Sequence, residues 1–235
     1  MNYPYRICDD TGETLLACQE LIESHDFSRT GDTYLFALVS LSNQYVDFLL
    51  HDKVYTLKCA DFDTRLDFDF SVKKIIKSSG VVYLSVVVMN GMYKVGVLSL
   101  LKNGSVGGDE RIWLDMVMGA KIIYISASYM VGGIRHNIEK DTIVIEGKYI
   151  HDYYSFYCEL GYSFFGKFGY MGNNLDAFDD CVAEIERENT QINVIWKDSD
   201  LSLKAIDNTI PSEVYPLSSH DIVEILNAHC NLILE

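Results

Sequence analysis

The chain has 235 residues, 49% of them hydrophobic and 12% aromatic, with 3 prolines; this excludes disordered, collagen-like and linker-rich classes and leaves room for one large domain or two modest ones. Its 19 basic and 34 acidic side chains give a formal net charge of −15, which argues against nucleic acid or an anionic membrane as partner and favours a basic protein. The longest apolar run, Gly80 to Met89, is far shorter than the roughly 18 residues that span a bilayer.

The N-terminal residues offer no uninterrupted apolar segment of the secretory kind, so a cytoplasmic protein is expected. Six scattered cysteines (8, 18, 59, 158, 181, 230) lack Cys-x-x-Cys or Cys-His spacing. That pattern disfavours a zinc site or a disulfide framework and suggests reduced, buried thiols.

Along the chain, Leu15, Leu16, Cys18, Leu21 and Ile22 fall at helical spacing behind Thr11, predicting a leading amphipathic helix over Glu13 to Ser24. Short β-branched and aromatic runs follow at Thr33 to Leu41, Tyr45 to Leu50, Val54 to Cys59 and Arg65 to Phe70. Val81 to Met89 and Met92 to Leu101 flank Asn90-Gly91, a dipeptide suited to a two-residue hairpin. Beyond the Gly-rich stretch Asn103 to Asp109, the runs Ile112 to Met118 and Lys121 to Ser128 also read as strands. Val131 to Asn137 reads as a link. The expected organisation is an N-terminal, mainly antiparallel β domain with a leading helix (1–137) and a second domain over 138–235.

The second domain reads as strand (Thr142 to Glu146), Tyr/Phe-rich helix (His151 to about Phe165), helix, strand, helix, strand. Residues 1–140 carry 17 acids and 14 bases, residues 141–235 carry 17 and 5, so the acidity belongs to the second domain. Its glycine-punctuated loop Gly166 to Gly172 leads to Asn173-Asn174, either of which suits the cap of a helix starting at Leu175. In that helix Phe178, Cys181, Val182 and Ile185 share an apolar face. Asp176, Asp180, Glu184 and Glu188 recur every fourth residue on another, with Asp179 beside them and Arg187 as the nearby local counter-charge. A first-turn acid gains from the helix dipole, which accounts for Asp176. The later acids gain nothing from it, and each like-charged pair at this spacing costs about 0.2–0.5 kcal/mol. An acidic ladder beside an exposed aromatic loop suits a surface that enters a cationic cleft, with carboxylates in the places of phosphates.

The stretch Tyr170-Met171-Gly172-Asn173-Asn174-Leu175-Asp176-Ala177-Phe178-Asp179-Asp180-Cys181, with Ile145-Glu146-Gly147-Lys148-Tyr149-Ile150 before it, resembles the barstar family of intracellular ribonuclease inhibitors. Tyr-x-Gly-x-Asn-Leu-Asp-Ala-x-x-Asp-Cys fixes eight of twelve positions. The likeness extends more loosely through Asn193 to Trp196, Asp221 to His229 and Leu232 to Leu234, and touches none of the first domain. It implies an α/β fold with helices on a three-stranded parallel sheet. It further implies that Asp180 is the central acid entering a ribonuclease active site, that Asp176 and Glu224 engage flanking basic residues, and that Tyr170 packs on the catalytic histidine. Gly172, Asn174 and Leu175 would shape the loop, with Asp179 and Glu184 also on the partner-binding surface. Cys181 and Cys230 coincide with the family's two cysteines. Asp179 stands where the family often has Trp, and Ala228 where it has a second acid, which points to a partner of different shape.

The implied function is inhibition of a basic ribonuclease toxin by a bacterial immunity protein, without cofactor or metal and without enzymatic activity. The alternative is a barstar-like adaptor with no nuclease target. An enzyme is the weaker rival: no nucleophile elbow, His-Glu-x-x-His or phosphate-binding loop is present, although Asp141 or Glu146 near His151 would supply an acid and a base.

Overall fold

A computed structural model describes residues 3–27, 33–42, 49, 51–60, 66–104, 111–188, 192–211 and 218–235, with backbone alone at 186–188. The chain divides into two compact units, Met1–Val106 and Gly107–Glu235.

In the first unit, strands β1 (Tyr5–Cys8), β2 (Thr14–His25), β3 (Tyr34–Leu41), β4 (Val54–Cys59), β5 (Leu66–Ser78) and β6 (Val81–Val88) close into a barrel in the order β1-β2-β3-β6-β5-β4. Every neighbouring pair is antiparallel, and closure comes from pairing Arg6 with Lys58. Inward residues alternate along the strands and fill the interior, as a small barrel requires. Phe36, Phe70 and Tyr93 are wholly buried, and Tyr93 meets Tyr34 edge-on at 5.0 Å. After β6 the chain forms helix α1 (Val97–Gly104).

Three expectations for this part of the chain are corrected. The leading helix is strand β2. Its inward residues are Leu16 and Cys18, then Leu21 and Glu23, and the change of parity between the two pairs imitates helical spacing. The Asn90-Gly91 hairpin does not form: Asn90 Oδ1 accepts the Met92 N–H at 2.9 Å, and the chain turns toward α1, where Val97, Leu98 and Leu101 are buried. The expected strands at 112–118 and 121–128 are a 3-10 turn (Ile112–Asp115) and helix α2 (Met118–Gly132), whose buried Lys121, Tyr124, Ile125 and Ser128 keep the i, i+3, i+4, i+7 spacing of a helix face. The expected strand Tyr45 to Leu50, apart from Leu49, and most of the Gly-rich stretch after Asn103 lie outside the described residues.

The second unit holds strand β7 (Thr142–Glu146), helices α3 (Tyr153–Phe165) and α4 (Leu175–Glu188), strand β8 (Asn193–Lys197), helices α5 (Ser199–Asp207) and α6 (Ser219–His229), and strand β9 (Asn231–Leu234). The sheet is parallel in the order β7-β8-β9, with Ile145 paired to Trp196 and Trp196 to Leu234. The expected parallel α/β domain is present, with α5 as an additional helix. Trp196 stacks on Phe156 at 5.7 Å, Phe156 meets Phe178 edge-on at 5.6 Å, and the Trp196 indole N–H donates to Ser202 Oγ at 2.9 Å. β8, α3 and α4 thus share one core.

This unit takes in residues 107–137, which the sequence pattern assigns to the β-rich domain. The reason is polar as well as apolar. Arg111 makes a two-pronged ion pair with Glu159 at 2.7 and 3.0 Å, and its guanidinium lies between the rings of Tyr149 and Tyr162 at 4.4 and 4.1 Å. Burial opposes the guanidinium charge, yet Glu159 outweighs it and holds Arg111 above its ordinary pKa. Lys121 on α2 pairs with Asp152, the residue that caps α3. Both carboxylates are withdrawn from water, so the cations that match them belong to the same folded unit.

Candidate functional site

The candidate site is the loop Gly166 to Asn174 and the helix it starts. α3 ends at Gly166, and Gly169 then lies so close to Gly161 of α3 that a Cβ on Gly161 would sit 2.2 Å from the Gly169 carbonyl oxygen. The loop therefore packs backbone on backbone. Phe168 has a positive φ of 55°, its N–H donates to Tyr124 Oη at 2.9 Å, and its ring stacks on Tyr124 at 5.3 Å. Tyr170 follows, 4% exposed, meeting Tyr129 of α2 edge-on at 5.0 Å. The expected exposed aromatic loop is thus corrected: Phe168 and Tyr170 are buried because α2 covers them.

Gly172 adopts φ +96°, and a Cβ there would come 2.7 Å from the Phe178 nitrogen; only glycine suits this turn. Asn174, rather than Asn173, caps α4, with the Ala177 N–H donating to Asn174 Oδ1 at 2.9 Å. Leu175 is half-buried. From this start the helix buries Phe178, Cys181, Val182 and Ile185, as its sequence pattern predicts. Burial and then the neighbouring Asp180 charge push the Cys181 thiol up to about 12, so it is a core thiol and not a nucleophile.

The opposite face carries the acids. Asp176, Asp179 and Asp180 are exposed and Glu184 is half-buried. The structure gives two of them histidine partners from other segments: His229 Nε2 of α6 lies 3.0 Å from Asp179, and His136 Nδ1 lies 3.6 Å from Glu184. Among the described residues no cationic side chain pairs with Asp176 or Asp180. α6 packs against α4 and carries Glu224, which is exposed and 3.2 Å from His220 one turn earlier. Arg187, the local counter-charge of the sequence pattern, has no described side chain.

Sequence reasoning missed Tyr124, Tyr129, His136 and His229 as parts of this site. They reach it through tertiary packing, Tyr124 across 44 residues, and no local spacing announces such contacts. Glu146, one of the two carboxylates of the rival enzyme reading, bonds Lys148 and Lys197, each at 3.2 Å. Among the described residues no cluster of His, Cys, Asp and Glu is arranged to hold a metal ion, and no helix is long and apolar enough to cross a membrane.

The candidate site is thus a helix of a parallel α/β domain, pinned by its apolar face and exposing on the other Asp176 and Asp180, which have no cationic partner among the described residues. Residues 141–213 match the family model described as Barstar (barnase inhibitor), and the C-terminal part of the chain carries a domain of that family. Glu224 lies beyond the matched residues. No curated protein and no solved structure matches the chain.

Proposed function

We propose that the second unit is a protein inhibitor of a basic ribonuclease, an immunity protein that protects a bacterial cell from a toxin by closing the toxin's active site. It works in the cytoplasm, needs no cofactor and catalyses no reaction. The observation that carries this reading is the pair Asp176 and Asp180, exposed and without cationic partners among the described residues on a helix whose other face is locked in the core. Leaving like charges together costs helix stability, and a cationic cleft repays that cost.

In this role Asp180 is the central contact and Asp176 and Glu224 flank it. Gly172, Asn174 and Leu175 set the turn that aims α4. Asp179, bonded to His229, and Glu184, facing His136, lie at the rim. The family description names barnase as the target of its inhibitors, and here it supports a basic ribonuclease as the kind of partner.

The test is RNA cleavage by barnase and other basic ribonucleases titrated with the chain, together with calorimetry of two variants. Asp180→Ala is expected to weaken binding by about 2 kcal/mol or more, the range of an interface hot spot, while changing folding stability by less than about 0.5 kcal/mol. Asp179→Ala removes the same charge and loses much less affinity, because long-range attraction suffers equally in both variants. Full ribonuclease activity at stoichiometric excess of a folded chain, or equal small losses in the two variants, overturns the proposal and favours the adaptor.

A further inference from the structure

Helix α2 lies outside the residues that match the family, yet it shapes the site at two points. Tyr124 bonds and stacks Phe168, and Tyr129 lies edge-on against Tyr170. Beyond the end of α2 the chain comes back to the acidic helix, where His136 meets Glu184. One segment outside the family match therefore borders both the loop and the carboxylate face.

Its effect on the two tyrosines is unequal. Tyr170, the aromatic residue that the family likeness assigns to the partner, is 4% exposed, so bringing its ring to a partner means breaking its contact with Tyr129. Tyr129, in contact with Tyr170, is only partly buried and so keeps more of its surface open to solvent. We infer that the partner-binding face of this unit extends onto the C-terminal end of α2, and that Tyr129, not Tyr170, offers its ring to the basic protein. The inference rests on the inhibitor reading above. An amphipathic ring packed on the loop that leads into the acidic helix complements a cationic cleft in two ways, by apolar contact and by attraction of guanidinium or ammonium groups to its face. Tyr170 then acts as the floor beneath it, a positioning residue.

The experiment uses the full chain with barnase as the probe. Calorimetry compares Tyr129→Ala, Tyr129→Phe and Tyr170→Phe, while tyrosine nitration with peptide mapping is run on the unaltered chain, free and bound. Tyr129→Ala is expected to weaken binding about tenfold or more, with Tyr129→Phe within about threefold of the unaltered chain, since the ring carries the contact. Tyr170→Phe keeps the ring against which Tyr129 lies and is expected to cost clearly less affinity than Tyr129→Ala. Nitration marks Tyr129 in the free chain, spares Tyr170 in both states, and is blocked at Tyr129 by the complex.

Equal nitration of Tyr129 free and bound overturns the inference, even if Tyr129→Ala binds poorly, because a merely structural ring stays accessible. The mapping needs no variant, so misfolding of Tyr129→Ala does not remove the test. Failure of the unaltered chain to bind the probe counts against the inhibitor reading and takes this inference with it. Binding that is indifferent to Tyr129 overturns this inference alone.

Discussion

Glu23 and Glu159 are carboxylates buried for structural work. Glu23 projects from β2, accepts the Tyr93 hydroxyl, and receives the Ser99 N–H at 3.2 Å; it thereby ties the first turn of α1 to the barrel and satisfies amides that a helix start leaves open. Burial raises its pKa above the ordinary 4.5, against the pull of Tyr93 and of the amides of Ser99, Gly96 and Leu98. With the folded value above the unfolded one, the folded chain holds this proton in the window between them. The contribution is complete below the unfolded pKa and is lost as pH rises through the raised one. Glu23→Gln is therefore expected to flatten the fall in the stability of the first unit across that window, read as urea midpoints at stepped pH. An unchanged slope refutes the assignment. Glu159 answers to the same physics with a different partner: burial pushes its carboxyl up, and its two-pronged bond to Arg111 pulls it part of the way back.

At the scale of elements, that ion pair predicts where the second unit can be cut. A fragment from Gly107 to Glu235 retains Arg111 and Lys121 and is expected to unfold cooperatively. A fragment starting at Lys140 leaves Glu159 and Asp152 without these partners and strips Tyr124 and Tyr129 from the loop; breaking one such pair by itself costs on the order of 3 kcal/mol, a large part of a domain's stability. Near-ultraviolet dichroism and urea melts compare the two, and equal stability contradicts the role given to α2. The same elements show what the residues reveal unaided. The loop and α4 were legible because their geometry demands particular residues: glycine at 172 for its positive φ, asparagine at 174 for its cap, and a 3–4 apolar spacing from Phe178 to Ile185. β2 was not, because a change of inward parity in a strand mimics a helix. α2 was not, because Ile122, Ile123 and Ile125 favour strands in isolation, whereas the burial of Lys121 against Asp152 is a tertiary fact. The burial of Tyr170 was hidden for the same reason.

Across the whole molecule the two units differ in charge. Residues 1–106 carry 13 acids and 10 bases, residues 107–235 carry 21 and 9, so most of the net negative charge, and with it any attraction of the basic partner proposed above, belongs to the second unit. The closed barrel contributes little to that field. Asp176 and Asp180, left without cations among the described residues, have a further consequence in the response to an inert electrolyte. In the free chain, dissolved ions weaken repulsion among the acids, so sodium chloride is expected to raise the melting temperature modestly. In the complex the same ions weaken the attraction that holds the partners together, slowing association and lowering the melting temperature of the bound chain. Scanning calorimetry from about 0.05 to 0.5 M salt, over which the screening length shrinks well below 10 Å, reads both effects in one series. A chain whose charges serve only its own stability has no reason to reverse sign when a partner is added; under the inhibitor reading this one is expected to, because that reading leaves part of its electrostatic comfort for another molecule to supply.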